Sequence, residues 1–368
     1  MSKFTAIDLF SGCGGSALGF EHAGFDVKVA VDIDQWSTET YKKNHSKTVV
    51  LKEDIKYVSG KQLLGIAGIK KGQLSVLLAC PPCQGFSSAR SNGSSYDPRN
   101  ELVFEFVRLT KEMMPKMIAM ENVPGLSRGK GKAIFQEAVS QLNKIGYKTI
   151  SAVLNASDYG VPQNRKRVIL LGSRIDVIRL KLPVPSHGDE KTMPKVTVKD
   201  AIDNLPRISW GEKNINDPMH VSANLSEINF NRLKITPHNG GGWKDWPEDL
   251  KLDCHKRSKG GHGDVYGRMR WDEPSPTLTG GCTAISKGRF GHPEQDRAIS
   301  LREAARLQSF PDSYVFEGSF TNISEQIGNA VPPLLAQVIA ETVKKALKEE
   351  KQMKRIYNQV VNTINPKL

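Results

Sequence analysis

Long hydrophobic runs are absent from this sequence. No segment of the 368 residues approaches the roughly 18–20 consecutive apolar residues that a membrane-spanning helix requires. The N-terminal segment meets an acidic residue at Asp8, which is too early for the apolar centre of a secretory signal peptide. Internal repeats and low-complexity segments are also absent. We therefore expect a cytoplasmic protein with no membrane partner.

Cysteine is scarce, with five in the whole chain. In the cytoplasm such thiols stay reduced, so we expect no disulfide framework. Cys80 and Cys83 form a C-x-x-C pair, which is compatible with a redox site or with half of a zinc site. Zinc needs a second pair of ligands, and Cys254-His255 with His262 is a poor one. We expect no metal.

Acidic side chains are fewer than basic ones: the chain has 39 Asp and Glu and 52 Lys and Arg, which gives a formal net charge of +13. This charge is high for an enzyme that acts on small neutral metabolites. A polyanionic partner explains it, since each neutralised phosphate releases counterions. Composition alone leaves DNA, RNA and an acidic protein open as that partner.

The chain is longer than one hydrophobic core usually holds, so we expect a large domain and a smaller one. Short apolar segments alternate with amphipathic ones over residues 1–180, which predicts an α/β domain with about seven strands. From residue 181 to 324 the periodicity weakens and basic clusters appear, which is typical of an irregular nucleic-acid-binding domain. Residues 325–368 form a segment that returns to the first domain.

A glycine-rich segment follows the first predicted strand. Gly12 and Gly14 allow the backbone to approach a ligand, and the helix behind them adds unpaired N–H groups. Asp32 ends the second strand about 20 residues later, where nucleotide-binding folds bind a ribose hydroxyl. Asp54 beside Ile55 suits an adenine amino group and ring. These residues indicate an adenosine cofactor and leave NAD and S-adenosylmethionine both open.

Polar side chains with catalytic potential lie in the loops at the ends of the predicted strands. Two prolines restrict the backbone just before Cys83, which suits a nucleophile, whereas Cys80 lies on the strand side and suits a small buried residue. Glu121 ends the next strand among apolar residues, so desolvation favours its acid form and makes it a candidate general acid. Arg165 and Arg167 alternate along the chain and are expected on one face, where they suit a phosphate or a carbonyl.

Six segments in this order resemble the cytosine-5 DNA methyltransferase family along nearly the whole chain. Between residues 181 and 297, where the family places sequence recognition, only Pro276-Thr-Leu-Thr279 matches. The resemblance implies a Rossmann-like S-adenosylmethionine-dependent methyltransferase domain with a smaller, irregular target-recognition domain. The six segments are Asp8-Leu-Phe-Ser-Gly-Cys-Gly-Gly15, Pro81-Pro-Cys-Gln-Gly-Phe-Ser87, Glu121-Asn-Val123, Gln163-Asn-Arg-Lys-Arg167, Arg302-Glu-Ala-Ala-Arg-Leu-Gln308 and Gln326-Ile-Gly-Asn-Ala-Val-Pro332.

The resemblance also implies a mechanism. The Cys83 thiolate adds to C6 of a cytosine flipped out of the duplex, Glu121 protonates N3, and Arg165 and Arg167 hold the base and its backbone. The implied cofactor residues are Phe10, Gly12, Gly14, Asp32, Ile33, Asp54, Ile55, Pro82, Asn329 and Val331. The expected DNA-binding residues are Gln84, Ser87, Arg257, Arg268, Arg270, Thr277 and Thr279.

The substrate expected from the resemblance is a short specific sequence in double-stranded DNA. We expect a bacterial, nucleoid-associated monomer that acts beside a restriction endonuclease without needing contact with it. One alternative is a tRNA cytosine-5 methyltransferase, although that branch carries a Cys-Phe-Thr tripeptide that this chain lacks. A dinucleotide-dependent oxidoreductase is another, and it leaves Cys83 and Glu121 without a joint role. A catalytically idle DNA-binding module is the third.

Overall fold

The computed structural model describes residues 4–82, 101–176, 178–188, 190, 192–257 and 264–364. The chain divides into two compact units. The first unit contains the chain up to residue 154 together with 166–184 and 335 onward, and the second contains 155–165 and 185–334.

These boundaries differ from the sequence pattern, which divides the chain after residues 180 and 324. The return to the first unit comes at residue 335, and the short segment 155–165 belongs to the second unit. Gln163 and Arg165 are buried in that unit and bond to backbone groups more than a hundred residues away. No local change in composition marks such a long-range attachment.

The described part of the first unit carries the expected seven-stranded sheet, which confirms the α/β prediction. The strand order is β3-β2-β1-β4-β5-β7-β6. The first five strands pair in parallel, whereas β7 runs antiparallel to β5. The strands are β1 (Thr5–Leu9), β2 (Asp26–Asp32), β3 (Val49–Lys52), β4 (Val76–Ala79), β5 (Met117–Asn122), β6 (Lys148–Asn155) and β7 (Lys166–Ser173).

The central strands are apolar because both of their faces are covered. All four residues of β4 are buried, as are the first four of β5. Such continuous apolar runs are typical of parallel strands with helices on each side. The helices of the first unit are α1 (Gly15–His22), α2 (Gln35–Asn44), α3 (Gly60–Ala67), α4 (Leu102–Met113), α5 (Pro124–Ser127), α6 (Lys132–Lys144) and, from residue 335 on, α12 (Pro333–Ile364).

Side-chain caps fix where two of these helices begin. The Asp34 carboxylate accepts a hydrogen bond from Ser37 N at 2.7 Å and caps α2, and Ser59 does the same for α3 through Gln62 N at 3.2 Å. The last helix continues to Ile364. Within the described ranges, no helix is both long and apolar enough to cross a membrane.

The second unit has short helices, no extended sheet among its described residues, and buried charges. Arg297 and Glu303 are almost fully buried and form two 2.7 Å hydrogen bonds. Burial opposes ionisation of Glu303, but Arg297 outweighs it and lowers the Glu303 pKa to about 2. The irregular architecture expected here is therefore held partly by paired ions. The helices are α7 (Val198–Ile202), α8 (Glu227–Ile235), α9 (Asp253–Arg257), α10 (Leu301–Leu307) and α11 (Phe320–Asn329).

Candidate functional site

The loop between β1 and α1 is held in an unusual backbone conformation. Phe10 has φ of +55°, Gly12 of +52° and Gly14 of +96°. A Cβ on Gly12 would meet no atom within 4 Å, so the positive φ rather than crowding favours glycine there. Phe10 takes this conformation at a cost of roughly 1–3 kcal/mol, which is typical of residues at ligand sites. The loop brings main-chain N–H groups to the carboxyl edge of the sheet.

Asp32, the last residue of β2, ties this loop to the next one. Its Oδ2 accepts a hydrogen bond from Gly12 N at 2.7 Å, and its Oδ1 accepts one from Asp34 N at 2.9 Å. Burial raises the pKa of Asp32, and these two N–H groups act in the opposite direction. Each carboxylate oxygen can accept a second hydrogen bond, so the group can still bind a hydroxyl. Ile33 follows with 65% of its surface exposed, an apolar side chain open beside the carboxylate.

The end of β3 provides a second acidic group at the same edge. Asp54 Oδ1 accepts a hydrogen bond from Lys56 N at 3.0 Å and caps a short turn of helix. That turn begins at Ile55, which is 5% exposed. The cap fixes the Asp54 carboxylate close to the ends of β2 and β3, which pair in parallel. The first unit thus brings together Gly12, Asp32 and Asp54, as the sequence predicts.

Asp8 is a buried acid for which the sequence predicts no role. It lies in β1, is fully buried, and accepts a hydrogen bond from Ser16 Oγ at 2.9 Å. Its Oδ1 has no hydrogen-bond partner among the described residues. Burial raises the pKa of Asp8 to about 7, and the charge of Asp32 adds to the effect. An acid between apolar residues in the strand Thr5–Leu9 is the signal that could have identified it.

Cys80 follows β4 and is a poor nucleophile. Burial raises the pKa of its thiol well above the usual range, and the nearby charges of Glu121 and Asp8 act in the same direction. Cys80 itself is partly exposed, unlike the buried Cys13 and Cys282, so the prediction that it is a small buried residue stays a prediction. Asn122, in the adjacent strand, donates a hydrogen bond to Pro81 O at 3.0 Å and holds the chain that leads to Pro82. Cys83, Gln84 and Ser87 lie outside the described residues.

Glu121 and Arg167 form an ion pair at the end of the sheet. Arg167 Nε lies 2.9 Å from Glu121 Oε1, and the two side chains are only 12% and 13% exposed. The antiparallel register of β5 and β7 places Ile169 opposite Glu121, so Arg167 is its diagonal neighbour on the same face. Among the described residues, Arg167 is the one ion-pair partner of the Glu121 side chain, and Oε1 accepts no hydrogen bond of normal geometry.

Arg165 has a different environment from Arg167, which corrects the expectation that the two arginines share a face. Arg165 belongs to the second unit and is 2% exposed. Its guanidinium donates to Leu278 O at 2.8 Å and to Ala330 O at 3.0 Å. The chain crosses between units after residue 165, so alternation along one strand does not apply. Arg165 holds backbone segments of the second unit together.

The remaining predicted residues of the second unit cluster around the same segments. Gly328, in α11, lies so close to the 277–280 segment that a Cβ on it would stand 1.9 Å from Thr279 O. Thr277 Oγ1 donates to Asn164 O at 2.6 Å, whereas Thr279 is exposed. Asn329 is exposed at the end of α11, and Val331 is 7% exposed.

The three arginines predicted to contact DNA differ in availability. Arg268 is fully buried and donates to the carbonyl oxygens of Leu233, Thr236, His292 and Gln295 and to Asp296. A phosphate contact would require this network to open, so we assign Arg268 to packing rather than to DNA. Arg270, in contrast, has half of its side chain exposed. The backbone of Arg257 ends α9.

Comparison with known proteins agrees with this arrangement. The family model described as C-5 cytosine-specific DNA methylase matches residues 4–345. The type II methylase M.HgiDII of Herpetosiphon aurantiacus is 40% identical over 357 residues, which cover 95% of this chain and 98% of that protein. The type II methyltransferase M1.HphI of Haemophilus parahaemolyticus is 40% identical over 350 residues, covering 93% and 87% respectively.

Two solved structures extend the comparison to the fold. A DNA modification methyltransferase encoded within an E. coli prophage has a TM-score of 0.73 and 28% identity, covering 94% of this chain and 100% of that one. The Entamoeba histolytica methyltransferase EhMeth has a TM-score of 0.60 and 17% identity, covering 94% and 99%. The second likeness concerns the fold alone.

Proposed function

Because the chain belongs to the family of C-5 cytosine-specific DNA methylases, we propose that it methylates a cytosine within a specific duplex sequence through a covalent bond to Cys83. The chain is a DNA cytosine methyltransferase that takes its methyl group from S-adenosylmethionine. The observation that supports the finer mechanism is the Glu121–Arg167 ion pair, which lies one strand from the segment leading to Cys83.

The carboxyl edge of the first unit fits the adenosine part of the cofactor. The positive-φ loop at Gly12 leaves space where a Cβ would stand, and the Asp32 carboxylate keeps lone pairs for the ribose hydroxyls. The exposed side chain of Ile33 suits one face of adenine, and Asp54 with Ile55 suits its amino edge. Once bound, S-adenosylmethionine supplies an electrophilic methyl group on a sulfonium. We assign further cofactor contacts to Phe10, Pro82, Asn329 and Val331.

Glu121 and Arg167 account for activation of the base. As the Cys83 thiolate adds to C6 of the flipped cytosine, the ring gains electron density, and Glu121 donates its proton to N3. The Glu121 carboxylate formed in that step is stabilised by the Arg167 guanidinium at 2.9 Å. C5 is then nucleophilic enough to take the methyl group from the sulfonium. A base removes the C5 proton, the Cys83 thiolate leaves as the C5–C6 double bond re-forms, and N3 returns its proton to the Glu121 carboxylate. Flipping the cytosine costs a few kcal/mol, which phosphate contacts from basic residues offset.

Nucleoside mass spectrometry of plasmid DNA tests the function. The plasmid is grown in cells without cytosine methylation that express either this chain or its Cys83→Ala variant. We expect 5-methyldeoxycytidine only with the intact cysteine. Its absence from both DNA samples, with 5-methylcytidine in the tRNA of cells expressing the intact chain, would replace DNA by tRNA as the substrate.

The cellular setting is also a proposal. We infer a cytoplasmic, nucleoid-associated monomer that acts beside a restriction endonuclease without binding it. Similar proteins are named type II methylases or methyltransferases, which supports the proposal that this chain acts beside a restriction endonuclease. Light scattering of the purified chain, alone and with a duplex, tests the monomer, and a dimer in both samples would contradict it.

A further inference from the structure

Arg270 differs from the other arginines of the second unit. Among those whose side chains the structure describes, Arg270 alone makes no hydrogen bond to another described residue. Within the part of the chain that the structure describes, its one ionic neighbour is Glu273, with 3.8 Å between Arg270 Nε and Glu273 Oε1. Both side chains are at least half exposed, so this pair contributes little to stability. The guanidinium therefore offers its donors to an external acceptor.

The backbone on both sides of Arg270 is held in place. Met269 N donates to Gly291 O at 2.8 Å, and Trp271 N donates to the side-chain Oδ1 of Asn239 at 2.7 Å. Asn239 has φ of +51°, a strained conformation for a residue with a side chain, and its N–H donates to Pro293 O at 2.9 Å. A residue keeps a strained backbone conformation only where the surrounding structure holds it there. Here it fixes the position from which the Arg270 side chain leaves the backbone.

The Arg270 side chain itself lies against Gly240. A Cβ on Gly240 would stand 2.7 Å from Arg270 Nε and 2.9 Å from its Cζ, so the guanidinium occupies that space. Gly240 is held in turn by Arg289, which donates to Gly240 O at 2.8 Å and to Gly241 O at 3.0 Å. The exposed guanidinium thus lies against a loop that is held by hydrogen bonds, which limits the conformational entropy that the side chain loses on binding.

We propose that Arg270 recognises a guanine in the target sequence by donating two hydrogen bonds to its O6 and N7. This inference rests on the proposed methylation of a specific duplex sequence and adds one base contact to it. A contact with a phosphate requires only a positive charge. A guanidinium that lies against Gly240 and keeps its donors free suits the planar, bidentate acceptor pair that guanine presents in the major groove.

The test uses duplexes that carry the recognition sequence, which bisulfite sequencing of a methylated plasmid supplies. Each guanine is replaced in turn by 7-deazaguanine, which lacks the N7 acceptor. Methylation rates are measured for the wild-type chain and for Arg270→Ala, Arg270→Lys and Gly240→Ala. Arg207→Ala is the matched control, because Arg207 is an exposed arginine of the same unit that already pairs with Glu294 at 3.4 Å.

We expect the wild-type chain to slow at one guanine, and Arg270→Ala to be insensitive to 7-deazaguanine at that position alone. On the unmodified duplex Arg270→Ala should be slower by roughly 5- to 150-fold, the value of one bidentate base contact. Arg270→Lys keeps the charge but lacks the planar fork, so it should be slower than the wild type on the unmodified duplex. Gly240→Ala should behave likewise, since its Cβ displaces the guanidinium, and Arg207→Ala should match the wild type.

Two results would overturn the inference alone. One is an Arg270→Ala variant that keeps the wild-type sensitivity to 7-deazaguanine at every guanine. This holds whether the variant is slow, as expected for a lost phosphate contact, or as fast as the wild type. The other is a wild-type chain that responds to 7-deazaguanine nowhere. A wild-type chain that methylates no duplex at all would instead overturn the proposed function, and the inference with it.

Discussion

Replacing Glu121 with glutamine preserves the shape of the side chain at the end of β5. It removes both the ability to pair with Arg167 as a carboxylate and the ability to carry a proton to N3 of the cytosine. The ion pair with Arg167 has an N–O distance of 2.9 Å and is about nine-tenths buried. At an effective dielectric constant of about 20, that distance corresponds to an attraction of about 6 kcal/mol, most of which offsets the desolvation of both groups. Glu121→Gln leaves Arg167 without a counterion, so we expect a loss of stability of about 3–5 kcal/mol.

The catalytic effect of Glu121→Gln is separable from this loss of stability. Without an acid at N3, the methylation rate should fall by roughly 10²–10⁴, or about 3–5 kcal/mol of barrier. The assay is single-turnover transfer of a tritiated methyl group to duplex DNA, run well below the melting temperature of the variant. Glu137→Gln, an exposed glutamate in α6, is the control and should leave the rate unchanged. A folded Glu121→Gln chain that methylates near the wild-type rate would refute the assignment of Glu121 as the acid.

Three further predictions concern stability. Burial raises the pKa of Asp8 to about 7, so protonated Asp8 stabilises the folded protein below pH 4, and this stabilisation is lost as the pH rises through 7. In urea unfolding experiments, Asp8→Asn should remove this decline of stability with pH. Glu303→Gln should cost about 3–5 kcal/mol by leaving Arg297 buried without a counterion, measured by urea unfolding at pH 7. In the wild type this pair should weaken as the pH falls from 4.5 towards 2, because the Glu303 pKa is lowered to about 2. Gly328→Ala should cost at least about 1–3 kcal/mol, because its Cβ would stand 1.9 Å from Thr279 O.

Each of these three has an outcome that contradicts it. An equal decline with pH in the wild type and in Asp8→Asn would assign the titration to another group. Wild-type stability in Glu303→Gln would mean that the ion pair contributes no more than the amide does. Gly65→Ala is the control for Gly328→Ala, because a Cβ on Gly65 meets no atom within 4 Å, so the two variants should differ clearly.

Local sequence signals identify the first unit well. Short apolar segments predict the seven strands, and polar residues at their ends predict Asp32, Asp54 and Glu121 at one edge of the sheet. These features depend on neighbours within a few residues. The carboxyl ends of parallel strands then bring the polar groups together without further information.

The arginines show where local signals fail. Arg268 lies in a basic run, which is usually a solvated surface, yet it is fully buried among carbonyl oxygens 24 to 35 residues away along the chain. Arg165 alternates with Arg167, but its partners Leu278 O and Ala330 O are 113 and 165 residues distant. Burial of a guanidinium is decided by such long-range acceptors, which no window of sequence contains.

The most direct test of the central claim, a covalent bond between Cys83 and the target cytosine, is intact-protein mass spectrometry with a trapping duplex. The target cytosine is replaced by 5-fluorocytosine, whose fluorine cannot leave as a proton does, so the adduct cannot break down after methyl transfer. With S-adenosylmethionine present, we expect the wild-type chain to gain the mass of the methylated strand and Cys83→Ala to gain none. A wild-type chain that methylates ordinary duplexes but forms no adduct, or an adduct on Cys83→Ala, would contradict the account.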